Sequence, residues 1–172
     1  MNPFVPSWLL ALTYWLHMLA TVIWIGGLTA SNFIVVPLAR STLTEHTYFV
    51  FFERLQQRLQ GIGWVALAVL VGTGLFQMSA HPAYQGFLRI DNAWAMAILL
   101  KHGVIGGMIL VSAWMTWGIM PQLRRINYML SAGVAVDEPH RSRLQRRQAW
   151  LLRLNLGLSV VVLLLTAWAR VS

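Results

Sequence analysis

Four long apolar runs constrain what this chain can fold into: about Ser7 to Val36, Gly61 to Ala80, Ala93 to Met120 and Leu151 to Trp168. Each is long enough to cross ~30 Å of hydrocarbon as a helix. Lipid offers the backbone no hydrogen-bonding partners, so such runs must satisfy their own N–H and C=O groups, and helices do this within one segment. The expected fold class is therefore all-α: one four-helix transmembrane bundle over residues 1–172, up-down-up-down, with helical extensions into the cytoplasm. Pro37 is expected to stop the first span and Pro121 to kink or end the third. The second ends before a His81-Pro82 turn.

Composition agrees. Of 172 residues 58% are hydrophobic and only 10% are charged, with a mean hydropathy of +0.61. The net charge of +8 does not indicate nucleic acid, because the arginines cluster beside the apolar runs. Arg40, Arg54 and Arg58 lie between the first two spans. Arg124, Arg125, Arg141, Arg143, Arg146 and Arg147 lie between the last two. The opposite side has Arg89 and Arg170. The positive-inside rule then puts both long connections in the cytoplasm and both termini outside a cell inner (plasma) membrane. The first span has no basic n-region before it and reads as an uncleaved helix. Thr44 is a candidate N-cap for a helix running straight into span two, span three is expected to reach about Gly133, and Asp137 and Pro139 to open span four early.

With no cysteine, thiolate metal sites, disulfides and covalent haem attachment are excluded. Imidazole, thioether, lysine and carboxylate remain, and no span interior holds an acidic residue. His17 and His102 each sit nine residues into an apolar run, roughly 13 Å below one membrane face if their helices are parallel. An intramembrane ionisable group marks function by default. Two at one level, on helices diagonal in a bundle, point to a shared ligand, and a b-type haem iron held by His17 and His102 is the first reading. Such a protein would transfer electrons, with redox partner subunits or a quinone. Lys101 is a candidate second ligand or propionate partner, and Arg89 and Arg170 are placed to meet propionates. The alternative is copper, with Met18, Met78, His81 and Met96 as a soft Cu(I) set. A third reading is a cofactor-free structural subunit. The pairs Gly26-Gly27 and Gly106-Gly107 offer room for a flat macrocycle or a neighbouring helix. Gln77 and Asn155 are expected to bond between helices, and Trp24, Trp114 and Trp117 to pack.

The stretch WLHMLATVIWIGGLTASNFIVVPLAR, with His17, Trp24, Gly26 and Gly27, resembles the first helix of the copper resistance D family. GLFQMSAHPAYQGF and NAWAMAILLKHGVIGGMIL resemble that family's second and third helices. The resemblance implies a membrane protein connected with copper. The architecture is also similar to the HemJ-type protoporphyrinogen oxidases. That likeness implies a haem held by a helix-one histidine and a helix-three lysine, here His17 and Lys101.

Overall fold

The structure, a computed structural model, describes residues 6–80, 86 and 93–171. Four helices make up nearly all of it: α1 Ser7–Thr42, α2 Glu45–Ser79, α3 Ala93–Ser131 and α4 Glu138–Val171. All four are long and apolar enough to cross a membrane, and no strand occurs among the described residues. His81 and Arg89 lie outside the described residues.

One expectation about proline is corrected: Pro37 does not stop α1, which continues to Thr42. At Pro121 α3 does not end but runs on to Ser131, close to the expected reach of about Gly133. In each helix a π-helical turn precedes the proline, Ser31–Val35 in α1 and Trp114–Ile119 in α3. Proline lacks an N–H and crowds the carbonyl four residues back. A wider turn just before it relieves both problems without ending the helix. Elsewhere the local signals hold. Thr44 is the extended N-cap of α2, although its hydroxyl meets the Thr47 hydroxyl at 2.9 Å rather than a backbone amide. Gly133 takes φ +72° just past the end of α3, a left-handed conformation that glycine adopts without strain.

Hydrogen bonds fix the registers. Gln77 Nε2 donates to Thr13 O at 3.0 Å, and His17 meets Thr73 at 2.8 Å. Further along, the Trp24 ring lies over Gly63, and Arg40 Nε donates to Tyr48 Oη at 3.1 Å. Numbers rising on α1 as they fall on α2 define an antiparallel pair. The same holds for α3 and α4, where Asn155 Nδ2 donates to Ser112 Oγ at 3.1 Å and Gln148 Nε2 to Met120 Sδ at 3.3 Å. Gln77 and Asn155 thus bond between helices as their sequence positions suggested. The two pairs meet through the Trp64 and Trp117 rings, 5.4 Å apart, and through Arg124 facing Glu53 at 3.7 Å.

The best-buried apolar cluster is Ile119, Leu123, Ile126 and Leu144, where the basic end of α3 meets α4. Arg141 is buried beside it. Its guanidinium lies 4.0 Å from the Phe49 ring centroid and pairs with Glu138 at 2.9 Å. Most large side chains along the spans point outward, Trp114 and Trp117 among them. That is the expected surface for helices solvated by lipid.

Candidate functional site

The first cluster is built around His17. Thr73 Oγ1 donates its single proton to Val69 O at 2.6 Å. The 2.8 Å contact between Thr73 Oγ1 and His17 Nδ1 must then use a proton on the imidazole. His17 is therefore the Nδ1–H tautomer, and its lone pair is on Nε2. Gly74 makes room for the ring: a Cβ there would fall 3.4 Å from His17 Cε1. His102 arrives at the same state by another route. Its Nδ1 lies 2.7 Å from Ile98 O. A carbonyl only accepts, so Nδ1 carries the proton and Nε2 the lone pair. A metal-ligating imidazole is commonly oriented in this way, by a bond from the ring nitrogen that does not bind the metal.

Lys101 is half-buried and within electrostatic range of His17, which places it on the same stretch of the bundle. Arg170 is exposed near the end of α4. The proposed Cu(I) set separates. Met78 is buried, but Met18 and Met96 are 63% and 42% exposed and point away from the core. Met18 follows His17, and adjacent helical residues diverge by about 100°. The glycine pairs also change role. Nothing lies near a Cβ at Gly26, Gly27, Gly106 or Gly107, whereas Gly63 and Gly74 on α2 carry the close approaches to Trp24 and His17.

The structure adds residues that the sequence reading passed over. Met108 and Met120 are buried at 6% and 4% exposure. Met115 lines a chamber of about 90 Å³ among all four helices, with Ser112, Gln56 and Asn155. Positions 108, 112 and 115 follow the i, i+4, i+7 spacing of one helix face, which was the available signal. Three buried polar atoms in this chamber's wall have no hydrogen-bond partner among the described residues: Trp24 Nε1, Gln56 Nε2 and Asn155 Oδ1. Buried polar groups are normally satisfied, so this chamber is built to hold something polar, water included. Among the described residues no three of His, Cys, Asp and Glu come together as a metal cluster.

A haem between α1 and α3 can be tested against these positions. The His17 ring is seated on α2, bonded to Thr73 and packed on Gly74. Neither His17 nor His102 lines the 90 Å³ chamber or the two larger cavities toward the basic end.

Four apolar helices, paired antiparallel around buried polar groups, define a multi-pass integral membrane protein. Residues 53–169 match the family model of copper resistance protein D, and the chain belongs to that family. No curated protein and no solved structure matches it. The match begins within α2, so the helix-one residues His17 and Trp24 lie outside it.

Proposed function

We propose that this protein handles copper within the membrane, binding Cu(I) as cargo and passing it through the helix bundle. The observation that carries the reading is a pair of intramembrane imidazoles, each held by a hydrogen bond at Nδ1, His17 to Thr73 and His102 to Ile98 O. Imidazole and thioether are the ligands that suit copper in a chain without thiols. Counting by register from the chamber, where Gly27 and Met115 share a wall, His17 lies ten residues back along α1 and His102 thirteen residues back along α3, toward the same end of the bundle. Cu(I) would enter at that end and meet Met108 and then Met115. Their spacing of seven residues is about 10 Å along α3. The chamber's unpartnered polar atoms offer a wet midpoint, where an ion changes ligands without complete desolvation.

The arginine distribution supports an inner-membrane orientation with both termini outside the cytoplasm. His17, His102 and Lys101 would then face the exterior half. Haem b with electron transfer is the weaker reading: imidazole also suits haem iron, but the family points to copper. The test is copper entry into proteoliposomes that enclose a fluorescent Cu(I) chelator, with ascorbate outside. Wild-type protein should carry copper, and His17→Ala and Met115→Leu should each slow it severalfold. Entry no faster than into protein-free vesicles would overturn the proposal.

A further inference from the structure

Outside the copper route, a cavity of about 320 Å³ lies at the basic end of the bundle. All four helices contribute to it, and its walls include Arg40 from α1, Arg124 from α3 and Arg153 from α4. Glu53 from α2 is the one carboxylate in the wall. Three guanidinium groups against one carboxylate leave two formal positive charges in excess. The pairing within the wall is incomplete. Arg124 Nε is 3.7 Å from Glu53, and Arg40 uses its Nε on the neutral Tyr48 hydroxyl. Arg153 has no hydrogen bond or ion pair among the described residues. An anionic occupant would balance the excess positive charge around this void.

We propose that this cavity binds a phosphate-bearing anion. Guanidinium groups match phosphate oxygens with paired N–H donors, and the side-chain amides of Asn127 and Gln145 add neutral donors to the same wall. Two sources share this chemistry: the headgroup of an anionic phospholipid, and free phosphate. The position suits the first, because Arg153 stands at the start of the apolar run of α4, where headgroups meet the hydrocarbon. Basic pockets between transmembrane helices take lipid headgroups in this way. The proposal does not depend on copper handling.

The test uses the full-length protein in uncharged detergent, with binding read from intrinsic tryptophan fluorescence. The probes are dihexanoyl phosphatidylglycerol, dihexanoyl phosphatidylcholine and sodium phosphate. Phosphatidylglycerol should bind saturably and more tightly than phosphatidylcholine. R153Q, which breaks no bond within the fold, should weaken it about tenfold, as expected for one charge-assisted contact. E53Q removes the opposing charge and should tighten binding, a change that a loosened fold does not produce. Competition by phosphate, with the same dependence on Arg153, identifies the free anion as the occupant. Failure of phosphate to compete identifies the lipid. Equal binding of both lipids, or a Kd unchanged in R153Q, overturns the proposal.

Discussion

Replacing Met120 with leucine distinguishes a methionine that holds the fold from one that serves the cargo. Gln148 Nε2 donates to Met120 Sδ at 3.3 Å, and each residue is only 4% exposed. Leucine and methionine are close in volume, so the packing part of the exchange costs less than about 1.5 kcal/mol. Leucine accepts no hydrogen bond, however, and the buried Gln148 amide loses its partner. An orphaned buried donor costs about 1–3 kcal/mol. The low end applies here, because sulfur is a weak acceptor and Gln148 also borders the 320 Å³ cavity, from which water can reach it. Met108 is the control. It is as deeply buried but makes no hydrogen bond among the described residues. Met120→Leu should therefore be about 1 kcal/mol less stable than Met108→Leu, roughly a fivefold difference in the unfolding equilibrium. Unfolding by sodium dodecyl sulfate in mixed micelles, followed by tryptophan fluorescence, measures it. Adding Gln148→Leu to Met120→Leu removes the orphan and should restore most of the loss. Equal stability of the two single variants, or no recovery in the double variant, would refute the assigned role of the bond.

Other outcomes follow from the same geometry. Thr73→Val removes the acceptor that holds His17 as the Nδ1–H tautomer and should weaken Cu(I) binding about 10–100-fold, while Thr73→Ser retains it; competition against a Cu(I) chelator reads this. Gly74→Val forces a branched side chain onto the His17 ring, 3.4 Å from where a Cβ would stand, and should match Thr73→Val in that assay. Arg141→Met gives up both the Phe49 ring face and the Glu138 pair and should cost about 1–2 kcal/mol. Arg141→Lys should not restore it, since a point charge neither stacks nor forks as guanidinium does. Protein purified from haem-replete cells should be colourless. A dithionite-reduced band near ~560 nm, lost in both His17→Ala and His102→Ala, would reinstate the haem reading.

The number of helices, their approximate bounds and the helical extensions beyond the apolar runs were legible because long apolar runs leave lipid-embedded backbone little choice. That His17 and His102 both lie inside apolar helices was legible by counting. What each ring touches was not. Thr73 and Gly74 are 56 and 57 positions from His17, and only the α1–α2 register brings them together. The expected copper set failed at Met18 and Met96 for a rotational reason: neighbours in sequence point to different sides of a helix, so Met18 meets lipid while His17 meets α2. Met108 and Met115 were recoverable from their spacing, but in an evenly apolar helix no polar stripe marks which face turns inward. The expected stop at Pro37 failed because a proline inside a long helix can be accommodated by a widened turn instead of an end.

Those two widened turns bear on how the bundle deforms. Ser31 and Met115 face the small chamber, while Val36 and Met120, just beyond the π turns, face the basic cavity. The turns of α1 and α3 thus form a common waist between the two spaces. Each turn sets aside the tight four-residue ladder that stiffens the rest of its helix. Bending compliance gathers at the waist, and α2 and α4 have no matching weakness among the described residues. A load at the basic end, an anion drawing Arg40 toward Arg124, would therefore be relieved by flexure at this height, and would change the bore of the chamber above it before disturbing the histidines.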